Sequence, residues 1–206
     1  MLRYGIYGGA FDPVHLGHLL LAENCLRQAN LDRIFFVPTG ISPHRNSKEA
    51  YHTSTEDRYN MLEAALLGYD EFLISRFEID RQEKSYTVDT LRYFHRIFAL
   101  TEPKLFLLMG ADMFNDLPNW YEVREICRLA VPLVAERSDT PLPYFAALSG
   151  IAAAEHLDEI GQSAIQMPQI GISSTQIRQR IQNGESIRFQ VPAGVEAYIT
   201  AHHLYQ

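Results

Sequence analysis

Arg3-Tyr4-Gly5-Ile6-Tyr7-Gly8-Gly9-Ala10-Phe11-Asp12-Pro13-Val14-His15-Leu16-Gly17-His18 is the stretch from which the rest of the chain can be read. Its first five residues have the composition and length of a short β-strand, Gly8-Gly9 ends it, and apolar spacing over Leu16 to Ala29 predicts a helix. Two glycines after a strand can be no more than a tight turn, but they also let backbone approach a ligand, as phosphate sites do. A helix beginning near Pro13 or Val14 would carry His15 and His18, three residues apart, on one face of its first turn. Amides at that end favour an anion, and two imidazoles beside them could donate to phosphate oxygens whose charge grows in a transition state. The same pair could be part of a metal site, yet no cysteine, third histidine or acid stands nearby at a familiar spacing.

Working outward, the strand-helix alternation continues. Short β-rich runs at Arg3 to Tyr7, Arg33 to Val37, Phe72 to Arg76, Lys104 to Met109, Leu129 to Ala135 and Ala164 to Met167 predict strands. Helical patterns fall at Leu16 to Ala29, Thr55 to Leu67, Thr87 to Phe98, Tyr121 to Cys127, Tyr144 to Ala153, Thr175 to Gln182 and Val195 to His202. Runs as continuously apolar as Ile34-Phe35-Phe36-Val37 suit a sheet covered on both faces. The expected fold is a Rossmann-like, doubly wound, mostly parallel α/β sheet. It should form one domain over 1–206, with a helical subregion from about 173 to 206. Ligands of such sheets bind beyond the carboxyl ends of the strands, which points to the loops after Tyr7, Val37, Arg76 and Met109. The stretches 39–54 and 137–143 have the composition of mobile loops.

Charge and composition narrow the function. With 206 residues and a net charge of -7, the chain lacks the basic footprint of a DNA- or RNA-binding protein, whereas a small nucleotide needs only a local positive pocket. The two cysteines, Cys25 and Cys127, have neither metal-ligand spacing nor the density of a secreted disulfide scaffold. No signal peptide or membrane-length apolar run is visible, so a cytoplasmic protein is expected. Neither Gly-x-Gly-x-x-Gly nor Gly-x-x-x-x-Gly-Lys-Ser/Thr occurs, which argues against a dehydrogenase or a P-loop enzyme.

A second candidate anion site lies at Ile172-Ser173-Ser174-Thr175-Gln176-Ile177-Arg178, where capping hydroxyls and an arginine gather at a helix start. Taken with this, Gly8 to His18 resembles the Gly-Gly-x-Phe-Asp-Pro-x-His-x-Gly-His motif of the nucleotidyltransferase superfamily, and 172–178 resembles its Ile-Ser-Ser-Thr-x-Ile-Arg signature. The resemblance implies ATP bound by Gly8, Gly9, Phe11, His15, His18, Ser173, Ser174 and Arg178, with His15, His18 and Arg178 stabilising the transition state. It implies Mg2+ carried on the ATP phosphates and no metal bound by the protein itself.

The acceptor is read from the middle of the chain. Leu117-Pro118-Asn119-Trp120-Tyr121 holds the only tryptophan, and an aromatic pair in a loop can stack on a flat heteroaromatic ring, with a cationic pyridinium gaining further from the indole face. Together with Gly110-Ala111-Asp112-Met113, Ser85-Tyr86-Thr87-Val88-Asp89-Thr90-Leu91 and Pro43-His44-Arg45, it resembles the bacterial nicotinate-nucleotide adenylyltransferases, over nearly the whole chain and in the same order. That resemblance implies transfer of AMP from ATP to nicotinic acid mononucleotide, releasing pyrophosphate. It implies that Trp120 stacks on the pyridine ring, that Thr87 and the Tyr121 neighbourhood hold its carboxylate, and that Gly110 and Asp112 belong to the nucleotide site. Asp12, His44 and Arg45 are implied on the mononucleotide side, the last two closing over phosphates. Glu83-Lys84 stands where the family often has a glycine, beside the carboxylate contact. A phosphopantetheine adenylyltransferase would share both ATP motifs but lack the Trp-Tyr pair, and a nucleotide-binding protein without turnover would not need the intact histidines.

Overall fold

The computed structural model describes residues 1–43, 51–136, 144–152 and 164–206. Its strands are β1 (Arg3–Gly9), β2 (Arg33–Pro38), β3 (Phe72–Ile74), β4 (Lys104–Gly110), β5 (Val131–Glu136) and β6 (Ala164–Gln166). Its helices are α1 (Leu16–Gln28), α2 (Thr55–Leu66), α3 (Thr87–Ile97), α4 (Ala111–Asp116), α5 (Val123–Leu129), α6 (Ser174–Gln182) and α7 (Ala193–Ala201). The six strands form one sheet in the order β3-β2-β1-β4-β5-β6, and every pairing is parallel. The doubly wound Rossmann-like fold read from the sequence is thus present. Consecutive residues Leu105 to Met109 of β4 are all at most 4% exposed, which requires cover on both faces of the sheet.

The order reverses between β1 and β4, so the two crossovers leave that junction in opposite directions and open a crevice at the strands' carboxyl ends. Alternating apolar residues anchor the helices that flank it. Leu21, Ala22, Cys25 and Leu26 bury one face of α1, and Val88, Leu91 and Phe94 bury one face of α3. Helix α2 begins with a capping box in which Ser54 Oγ accepts from the Asp57 amide at 3.0 Å.

Two expectations require correction. The helix expected over Tyr144 to Ala153 is, over its described residues, a single 3-10 turn, Phe145–Leu148. Gly150 follows with φ +76, a left-handed geometry that ends any helical path, and the amides of Ile151 and Ala152 fold back to Leu148. Ala153 and the loop 137–143 lie outside the described residues. Conversely, α4 and the 3-10 turn Leu117–Asn119 form where Gly110-Ala111-Asp112 reads as a loop, since six helical residues are too few to show a period.

Candidate active site

A cleft of about 530 Å³ opens at the β1/β4 junction. The glycines that end the two strands, Gly8, Gly9 and Gly110, form its floor, and Phe11, His15 and His18 line one wall. Ser173 and Ser174 border the same end, while Thr87, Asp112, Trp120 and Tyr121 line the other. Segments separated by well over a hundred residues thus converge where the strand order reverses.

The histidine wall differs in detail from the sequence expectation. Helix α1 starts at Leu16, so His15 is its N-cap, with extended backbone at φ -146, instead of lying in its first turn. His18 reaches back, and its Nδ1 accepts a hydrogen bond from the His15 amide at 3.2 Å. An acceptor Nδ1 leaves the proton on Nε2, so His18 is held in the tautomer that can donate to a ligand oxygen. The rings of His15 and His18 stack with centroids 3.7 Å apart and a 24° tilt, and Phe11 meets His18 edge-on at 5.1 Å. The Leu16 amide is committed to the Gln190 carbonyl at 2.9 Å. The side chains consequently carry more of this anion site than the bare helix terminus does.

Behind the wall, Asp12 is 3% exposed and does not line the cleft. Its carboxylate accepts from the His52 amide, Thr53 Oγ1 and Tyr205 OH, each at 2.8 Å. The carboxylate for which the resemblance implies a mononucleotide contact is thus hydrogen-bonded three times within the protein, away from the cleft lining. Arg178 also sits behind the turn. Its Nη1 donates to the Asp12 carbonyl at 2.7 Å and its Nη2 to Thr175 Oγ1 at 3.2 Å. Ser173 caps α6 by accepting from the Gln176 amide, and Ser174 Oγ donates to the Pro13 carbonyl at 2.9 Å. The second motif therefore grips the first, a contact across more than 160 residues of chain.

On the opposite wall, Trp120 ends the 3-10 turn and its indole Nε1 donates to Asp116 Oδ2 at 3.2 Å, which fixes the plane of the ring. Tyr121 is 57% exposed and packs against Tyr86 with centroids 4.7 Å apart. Tyr86 is the N-cap of α3, so Thr87 occupies the first helical position, where amides have no intrahelical acceptor. Asp112 lies in the first turn of α4, where its charge opposes the helix dipole. His44 and Arg45 lie outside the described residues.

Sequence reasoning missed three polar residues. Glu78, 6% exposed, lines the acceptor side and accepts from Thr90 Oγ1 at 2.6 Å. Burial pushes its carboxyl up to about 6, against the pull of hydrogen bonds from Thr90 and the Gly40 amide. Arg58 is fully buried and ties the loops after β1 and β2 together, donating to the Ala10 carbonyl at 2.8 Å and the Thr39 carbonyl at 2.7 Å. Tyr205 is the third. In sequence all three look like surface charge or helix filler, and no motif marks them. The cysteines are buried, and burial pushes Cys25 up to about 12 and Cys127 to about 11, so neither supplies a thiolate near neutral pH. Among the described residues no helix is long and apolar enough to cross a membrane.

Known proteins are similar to this chain in sequence and in fold. The sequence profile of the cytidylyltransferase-like family matches residues 6–180. A "Probable nicotinate-nucleotide adenylyltransferase" of Geobacillus thermodenitrificans is 36% identical over 209 residues, covering 100% of this chain and 87% of that protein. One of the same name from Thermus thermophilus is 39% identical over 208 residues, covering 100% of both. The solved structure of Plasmodium falciparum nicotinic acid mononucleotide adenylyltransferase complexed with NaAD has a TM-score of 0.74, covering 100% of this chain and 98% of that one. At 17% identity that likeness is one of fold. By profile and by full-length identity, the chain belongs to the cytidylyltransferase-like family and, within it, to the nicotinate-nucleotide adenylyltransferases.

Proposed function

We propose that this protein transfers AMP from ATP to nicotinic acid mononucleotide, forming nicotinic acid adenine dinucleotide and pyrophosphate in NAD biosynthesis. The observation that carries the reading is one cleft lined by the stacked His15–His18 pair, with His18 Nε2 able to donate, and by an indole oriented by Asp116. The acceptor phosphate is already largely ionised near neutral pH, with a second pKa of about 6. No strong general base is needed, and catalysis reduces to alignment and charge stabilisation.

In this mechanism the triphosphate lies along Gly8, Gly9, His15 and His18, bordered by Ser173 and Ser174. His18 Nε2 donates to a phosphate oxygen as the acceptor oxygen attacks the α-phosphorus in line and pyrophosphate leaves. Arg178 holds the Asp12 carbonyl and adds positive charge behind the turn. Gly110 and Asp112 border the nucleotide, Trp120 stacks on the pyridine ring, and the α3 amides at Thr87, with the Tyr121 backbone nearby, receive the ring carboxylate. A hard cation with oxygen ligands is suited to a triphosphate, which would carry it into the cleft. Magnesium brought in with ATP would supply charge neutralisation for the leaving pyrophosphate, beside the donors that His15 and His18 would provide. Two buried, unactivated thiols suit a reducing cytoplasm.

The test is pyrophosphate release and dinucleotide formation with ATP and, in turn, nicotinic acid mononucleotide, its amide and phosphopantetheine. Turnover fastest with the acid supports the reading. Turnover only with phosphopantetheine, or ATP binding without any dinucleotide, refutes it.

A further inference from the structure

The wall that holds the phosphates contains a strained residue. Phe11 adopts φ +50, in the left-handed region that a bulky side chain occupies only when its surroundings hold it there. It is 1% exposed, and its ring supports the edge of His18. The chain is fastened on both sides of it. On one side Arg58 holds the Ala10 carbonyl at 2.8 Å. On the other is Asp12, whose buried carboxylate receives hydroxyl hydrogen bonds from Thr53 and from Tyr205, each at 2.8 Å.

We propose that Tyr205 is a positioning residue for adenylyl transfer, holding the phosphate turn in register through its buried hydrogen bond to the Asp12 carboxylate.

Tyr205 follows α7, nearly two hundred positions from Asp12, and the residue is 9% exposed. Burial and the neighbouring Asp12 charge both raise its hydroxyl well above the ordinary phenol range, so it stays a donor throughout the working pH range. It acts through two linked steps. The hydrogen bond fixes Asp12, and Asp12 sets the exit direction of Phe11 and the path through Pro13 to His15. Losing it leaves Thr53 Oγ1 and the His52 amide on the carboxylate, so the turn loosens without unfolding. Displacement of a catalytic wall by a fraction of an ångström lowers the rate without removing any group that touches substrate.

This inference rests on the adenylyl-transfer reading, and the experiment separates the two. Tyr205→Phe keeps the ring and removes only the hydroxyl. Ile199→Val trims a buried α7 side chain that makes no hydrogen bond to the turn and serves as the control for lost packing. Steady-state turnover with ATP and nicotinic acid mononucleotide is measured at 25 °C alongside Tm, and the imidazole NMR signals of His15 and His18 are compared in all three proteins. In Tyr205→Phe kcat should fall about ten-fold with the acceptor KM within about two-fold, and the histidine signals should shift. Ile199→Val should keep the parent's kcat and signals despite its lower Tm. Parent-like kcat and unmoved histidine signals in Tyr205→Phe would overturn the proposal, as would equal losses in both variants. Absence of dinucleotide from the parent would overturn the assigned reaction, while the histidine signals would still decide the role of Tyr205.

Discussion

Of the described glycines, Gly40 leaves the least room for a methyl group. A Cβ built on Gly40 would lie 2.1 Å from the Glu78 carbonyl oxygen and 2.9 Å from its carbon. Ordinary contact begins near 3.4 Å, so the two segments must separate by about 1 Å or more. Neither can yield alone. The Ser85 amide donates to the Ile41 carbonyl at 2.8 Å, and the Gly40 amide donates to the Glu78 carboxyl. The displacement therefore passes into Ser85-Tyr86-Thr87, the start of α3 and the proposed seat of the acceptor carboxylate. A shift of about 1 Å in a positioning segment costs about 100-fold in rate, or about 2.7 kcal/mol of transition-state stabilisation. We expect kcat/KM for nicotinic acid mononucleotide to fall by about that factor and the KM for ATP to move much less, since the ATP wall is built from β1 and α6. Initial rates under variation of each substrate, with Tm recorded, measure both. Gly171→Ala, whose Cβ would meet nothing within 4 Å, is the control and should stay within about two-fold of the parent. If Gly40→Ala retains the parent's kcat/KM for the acceptor, the strap does not position α3 and the reasoning fails.

His18→Ala removes the Nε2 donor and should lower kcat about 100- to 1,000-fold while leaving the acceptor KM nearly unchanged; single-turnover kinetics check this, and parent-like turnover would exclude the role. Trp120→Ala should weaken acceptor binding by about 0.5–2 kcal/mol, a roughly 2- to 30-fold rise in its dissociation constant by titration calorimetry, with ATP binding unaffected. Glu78 gives a pH signature: its folded pKa, about 6, lies above the ordinary 4.5, so the fold holds this proton more tightly than the unfolded chain does. The stabilisation, about 2 kcal/mol, is complete below pH 4.5 and is lost as pH rises through 6. Urea unfolding between pH 4 and about 7 should show that decline in the parent and a flatter profile in Glu78→Gln, and equal slopes would contradict the burial argument.

The alternation of apolar runs, the glycines ending β1 and the two phosphate motifs were local signals, because strand and helix periodicity and turn chemistry are written in neighbouring residues. They gave the parallel α/β sheet, and with Trp120 and Tyr121 they gave most of the cleft. Legibility failed where local pattern and tertiary demand part. The helix expected across 144–152 was ended by the left-handed geometry of Gly150, and α4 was too short to show a period. Asp12 and Arg178 were recognisable as motif residues, but the directions of their side chains were not. Each belongs to a motif that lines the proposed ligand site, and the fold turns each inward to hold the phosphate turn in place. Glu78, Arg58 and Tyr205 left no trace in sequence, since a charged or phenolic residue looks the same on a surface as in a core.

All six strands, most of the helices and the two glycine- and serine-marked turns follow from amino-acid order alone, because each depends on residues within a few positions of one another. How those turns are held together is set by long-range contacts. Hydrogen bonds from Arg178 to Asp12, Ser174 to Pro13 and Tyr205 to Asp12 span 161 to 193 positions. Which buried polar group finds a partner depends on where the sheet's crossovers deliver each segment, and no local pattern encodes that.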